Sequence, residues 1–264
     1  MRELFSMWRN TRMIVLTAVS AAAYVAVLLP FKGLVLVPGL TEVRPGAAAP
    51  IVLSFLFGPA AAWGAAFGNL IADVLGGMLT PGSLFGFLGN LLYGYLPYAL
   101  WRAWFGAASP VRSGVRGWLV YALILVVSCL GIGVVIGWGV DLLGLAPFAA
   151  LGTIIAVNNF LAAAALATVL LGLLYNRVEG MGLLYHQIMD DASERPARRT
   201  ARLGAALCVL GVLAAFAAGV VISGEVLGVQ YGAAGFVSAA KGSWAVAGGM
   251  LPGLLLLCLG AALL

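Results

Sequence analysis

A chain of 264 residues that is 63% hydrophobic and only 9% charged cannot build a water-facing surface, because an ordinary soluble domain is about 25% charged. The formal charge of +5 could suit nucleic acid. The basic residues, however, cluster between long apolar runs, a pattern of membrane orientation, and no nucleic-acid partner is expected. Unbroken apolar runs also exclude a transmembrane β-barrel, whose strands alternate polar and apolar side chains. The expected fold class is therefore an all-α integral membrane protein, whose 36 glycines and abundant alanines let helices approach closely in lipid.

Apolar spans are predicted near residues 13 to 29, 46 to 57, 59 to 78, 84 to 104, 117 to 140, 148 to 175, 203 to 222 and 246 to 264. Residues 46 to 78 are too long for one crossing, and Gly58-Pro59 is a natural break. The twelve residues before the break rise only about 18 Å, so that helix must be short, tilted or sheltered by its neighbours. Charge parity supports the same division. With two crossings there, Arg2, Arg9, Arg12, Arg102, Arg112, Arg116, Arg177, Arg195, Arg198, Arg199 and Arg202 share one side, leaving Lys32, Arg44 and Lys241 opposite. The positive-inside rule then puts both termini in the cytoplasm of a multi-pass cell-membrane protein.

Three domains are expected. Residues 1 to 176 form a six-helix membrane unit, residues 177 to 202 a cytoplasmic basic linker, and residues 203 to 264 two additional transmembrane helices without an assigned role. Within the linker, Met181, Leu184, Ile188 and Met189 fall near one helical face, as an interfacial helix requires. The Arg-rich run that follows suits anionic lipid headgroups or a cytoplasmic partner. Gly68-Asn69-Leu70 and Gly89-Asn90-Leu91 echo each other on consecutive antiparallel spans. Asn69 and Asn90 are therefore expected at similar depth, either bonded to one another or contacting a ligand.

Polar and ionisable groups inside a membrane are costly and point to function. Glu42 and Arg44 lie in the first external loop, Asp73 in the outer third of the third span, and Asp141 at the end of the fifth beside Trp138. Asn158 and Asn159 lie about ten residues into the sixth. With Asn90, Tyr93 and Trp63 they populate the outer half of the bundle, where a pocket of aromatic faces and a few polar groups would capture a small molecule. The alternative use of these side chains is as interfacial anchors and interhelical glue. Three carboxylates with aromatic neighbours suit a small heteroaromatic compound with donor or cationic groups.

Enzymatic chemistry finds no support. The single histidine, His186, falls in the linker, so a buried serine or cysteine nucleophile has no base. There is no HExxH helix, phosphate loop or dinucleotide loop. Cys129, Cys208 and Cys258 lie in apolar runs without metal-ligand spacing, and neither a metal nor another cofactor is expected.

Several features taken together resemble a known family. Ala18, Ala22 and Ala26 place small residues at every fourth position of the first span. They are followed by Glu42-Val43-Arg44-Pro45, by Leu56-Phe57-Gly58-Pro59, and by Gly68-Asn69 leading to Asp73. This resembles the S components of energy-coupling factor (ECF) transporters, membrane-embedded capture subunits for vitamins and other micronutrients, over residues 11 to 176. The resemblance implies high-affinity binding near the outer surface, followed by delivery with a transmembrane coupling subunit and two ATPase subunits. It also implies that Ala18, Ala22 and Ala26 meet the coupling subunit and that Glu42 and Arg44 belong to a lid. Residues 203 to 264 depart from the six-helix pattern. A stand-alone carrier or channel, or a structural membrane protein without a ligand, stays open beside this reading.

Overall fold

A computed structural model describes residues 1–31, 35–37, 41–42, 45–189, 198–227 and 244–264. Described residues form helices α1 (Arg2–Ser6), α2 (Thr11–Leu28), α3 (Ala48–Phe57), α4 (Pro59–Leu75), α5 (Gly82–Phe105), α6 (Gly114–Leu142), α7 (Phe148–Ala162), α8 (Thr168–Gly180), α9 (Tyr185–Ile188), α10 (Arg198–Leu227) and α11 (Trp244–Leu263). The only sheet among them is a two-stranded antiparallel ribbon, β1 (Val35–Val37) with β2 (Thr41–Glu42), in the loop between α2 and α3. The chain is an all-α membrane protein, and among the described residues five helical stretches are long and apolar enough to cross a bilayer unaided.

The remaining helices of the bundle are shorter or less apolar because protein, not lipid, surrounds them. On α5, every residue from Tyr93 to Leu100 is buried. On α3, eight of ten residues are buried, so its roughly 15 Å of rise is sheltered by α2, α4 and α5. Gly58 divides α3 from α4 with φ of +50°, a conformation that L side chains rarely adopt. Pro59 then occupies the first position of α4, where its missing N–H is not needed.

Small residues set the helix spacing. A β-carbon at Gly94 of α5 would lie 2.7 Å from Cα of Ala62 on α4, and one at Gly253 of α11 would lie 2.8 Å from Cα of Ala215 on α10. Backbones touch at these points, which favours association in lipid, where no hydrophobic drive exists between helices. Helix α2 buries Met13, Leu16, Thr17, Ser20, Ala21, Tyr24 and Leu28, the last turns packing along α4. Ala18, Ala22 and Ala26, on its opposite face, are exposed. A π-helical turn, Ala163–Ala167, joins α7 to α8 and packs against α3.

One end of the bundle gathers Glu3, Arg102, Arg202 and Leu264 around a common cavity. Glu3 and Arg102 are ion-paired there, as are Arg112 and Glu179. The linker contradicts the expected interfacial helix. Met181 is exposed while Leu184 is fully buried, and among the described residues from 181 to 189 only the single turn α9 forms. The reason is aromatic packing, since Tyr185 lies against Gly58 and edge-on to Tyr98 with ring centroids 5.2 Å apart, drawing the segment into the bundle. Trp63 also departs from expectation. Only four residues beyond Pro59, it sits near the basic end, donating from Nε1 to the Leu4 carbonyl (2.8 Å) and packing with Trp8 and Phe67.

Candidate substrate-binding site

At the end opposite the ion pairs, α4, α5, α6 and α7 enclose a cavity of about 230 Å³, slightly below the roughly 300–1,000 Å³ of drug-sized pockets. The two turns at its rim are built alike. Helix α4 stops at Gly76, where Gly77 takes φ of +64°. The Met78 N–H then bonds the Asp73 carbonyl (2.8 Å) and the Gly77 N–H bonds the Val74 carbonyl (3.1 Å). Helix α6 stops the same way, with Gly144 at φ of +69°, the Leu145 N–H on the Val140 carbonyl (3.1 Å) and the Gly144 N–H on the Asp141 carbonyl (2.8 Å). Both are Schellman closures, which satisfy the carbonyls that a helix end leaves open. In each, the residue after the glycine, Met78 or Leu145, lines the cavity.

The polar lining comes from Asn69 and Asp73 on α4, Thr80 and Ser83 at the start of α5, and Asn158 and Asn159 on α7. Asn69 and Asp73 are one helical turn apart, and Asn69 Nδ2 donates to Asp73 Oδ2 (3.3 Å). Gly86 leaves room for this pair, since a β-carbon there would lie 2.9 Å from Asn69 Nδ2. The Thr80 N–H donates to Ser83 Oγ (3.2 Å), holding the turn into α5. Ile136, Val140, Leu151 and Ile155 supply the apolar walls. Asp73 is the one charged residue among those lining the cavity, so the site favours a cation or a ligand rich in hydrogen-bond donors.

Three of the residues expected at a site thus share this cavity, Asp73, Asn158 and Asn159, and Asn69, expected either to bond Asn90 or to contact a ligand, joins them. Others lie outside it and hold its walls. Asn90, one turn below Gly86, donates from Nδ2 to the Gly86 carbonyl (2.8 Å) and accepts from the Tyr24 hydroxyl (3.1 Å). Asn90 and Asn69 therefore bond to these partners and not to one another. Tyr93 donates to the Ala47 carbonyl (3.1 Å), fixing the chain where it enters α3. Asp141 accepts from the Phe148 N–H (2.7 Å), satisfying the first open donor of α7. Trp138 faces α11, where Nε1 donates to the Ala247 carbonyl (3.2 Å). Arg44 and the side chain of Glu42 lie outside the described residues. Thr80 and Ser83 were not expected at the site, although Thr80-Pro81-Gly82-Ser83 reads as a helix start immediately after the turn that follows Asp73.

The sequence model of the QueT transporter family matches residues 14–176. The chain belongs to that family. QueT transporters are S components of ECF transporters, so this member is a multi-pass membrane transport subunit for a micronutrient, not an enzyme. As a QueT member it works with membrane-embedded partners. The match spans α2 to α8 with both walls of the cavity, while α10 and α11 fall beyond it. No curated protein and no solved structure matches the chain.

Proposed function

We propose that the chain captures a queuosine precursor in the cavity between α4 and α7 and delivers it with a transmembrane coupling subunit and two ATPase subunits. The observation that carries the substrate reading is the single carboxylate, Asp73, set among three asparagine side chains, Thr80 and Ser83 in a small cavity whose other walls are apolar. Amides read the donor and acceptor edges of a heteroaromatic base, and the carboxylate pairs with a cationic or donor group. Asn90, Tyr93, Trp138 and Asp141 act on the ligand through the walls they hold, and Glu42 with Arg44 belongs to a lid over the opening. The capture unit is residues 1 to 176, followed by a linker at 177 to 202 and an added helix pair at 203 to 264. The ends that carry Glu3 and Arg202 are cytoplasmic, in keeping with the positive-inside rule.

Ala18, Ala22 and Ala26 form the coupling face. Their exposure on the side of α2 turned away from α4 supports this, because only small side chains let a second subunit's helix approach closely in lipid. The deciding experiment is a thermal-shift screen of the purified protein against queuosine precursors, vitamins and unmodified nucleobases. A queuosine precursor should raise the apparent Tm, the stabilisation growing with the logarithm of ligand concentration over Kd once ligand exceeds Kd. Stabilisation by another compound class, with none from the precursors, would reject this substrate.

A further inference from the structure

The helix pair α10–α11 lies beyond the family match, yet it packs behind α6 and α7, two of the helices that line the cavity. Helix α7 carries Leu151, Ile155, Asn158 and Asn159 on its cavity side, and its first N–H groups need partners. Asp141 supplies one of them, and the second comes from α10, where the fully buried Ser223 Oγ accepts from the Ala149 N–H (3.1 Å). Between these two bonds lies Phe148, itself fully buried. Its ring is enclosed by Val134 of α6, Ala215 of α10 and Val246 and Met250 of α11, and Phe216 meets it edge-on with centroids 5.9 Å apart. A β-carbon at Gly219 would overlap the ring. Trp138 ties α6 to α11 on the same side.

We propose that α10–α11 is a brace for the substrate cavity, with Ser223 and Gly219 as positioning residues for α7. Neither residue lines the cavity. Their effect on a ligand passes through the seat of Phe148 and the capped first turn of α7, two residues before Leu151. This gives a role to helices that the six-helix capture unit does not need for coupling, because α10 and α11 dock on the α6–α7 side of the bundle and leave the exposed alanines of α2 uncovered.

The test uses the full chain in nanodiscs and reads hydrogen–deuterium exchange without ligand, together with affinity for a queuosine precursor, the second reading resting on the function proposed above. Ser223→Ala leaves one N–H unpaired, and Gly219→Ala displaces the Phe148 ring. Each should speed exchange across Phe148–Ala162 by about tenfold while Pro59–Leu75, the opposite wall, keeps its wild-type rate. Precursor affinity should fall about three- to tenfold, and Ser223→Thr, which retains the hydroxyl, should restore it. Wild-type exchange across Phe148–Ala162 in both alanine variants, or equal acceleration in both walls, overturns the brace. So does wild-type affinity in both. If the unaltered protein binds no precursor, the substrate assignment fails, and the exchange measurement alone decides the brace.

Discussion

Asp73 and Asn90 look equivalent in the sequence, each a polar residue in an apolar run, but their surroundings give them different work. Asp73 faces the cavity with Asn69 behind it. Asn90 uses its side chain to join α5 to α2 through Tyr24. Asp73→Asn, which keeps the shape and removes the charge, should weaken precursor binding by about 1.5–3 kcal/mol if a charge-assisted bond is lost. Asn158→Ala should cost about 0.5–1.5 kcal/mol. Both should express at wild-type level, as isothermal titration and size-exclusion yield would report. Asn90→Ala should instead lower the Tm of the ligand-free protein, because it leaves Tyr24 without its buried acceptor. The cost of polar groups in lipid made both kinds of residue stand out in the sequence. What could not be read there was the partner each finds, since the Tyr24–Asn90 bond joins positions 66 residues apart and depends on tertiary packing.

Helix boundaries were far more legible, because hydropathy and helix-breaking residues are local. The spans expected at 84 to 104 and 117 to 140 are α5 and α6, and the division expected at Gly58-Pro59 separates α3 from α4. Helix α9 was less legible, because the burial of Leu184 and Tyr185 follows from a socket made by distant aromatic residues. Helix α2 offers a test that sets its two faces against each other. Ala22 is exposed, whereas Gly64 of α4 presses on the buried side of α2, where a β-carbon would fall 3.1 Å from the Ala21 nitrogen and closer still to Ser20. Ala22→Trp should bind precursor like wild type but fail to copurify with the coupling subunit and fail to support uptake. Gly64→Leu should reduce expression and binding together, as overpacking does. Joint loss of folding and binding in Ala22→Trp would remove the coupling role from this face.

At the scale of the whole molecule, the proposed orientation puts the Glu3–Arg102 end in the cytoplasm and the substrate cavity outside. Reporter fusions near Ser193 and at position 264 should both read cytoplasmic, and an external reading at either would invert the proposed path of delivery. The clustering of positive charge in the sequence is what the proposed orientation rests on. The docking of α10–α11 was not legible there, because it turns on Phe148 fitting between glycines of separate helices. The π-helical turn at Ala163–Ala167 joins these two ends in a further way. From Asn159 the buried positions continue at Ala163, Ala167, Leu171 and Tyr175, four residues apart each time, a spacing that in a plain α-helix drifts by about 40° per step. The wider turn takes up part of that drift, so it sets the angular phase between the cavity-lining asparagines and the tyrosine at the far end. Inserting one alanine elsewhere in the rod, where no wide turn absorbs it, would leave length, hydropathy and helix content almost unaltered, yet it would rotate one half by about 100° against the other and aim Asn158 and Asn159 at the wrong neighbours.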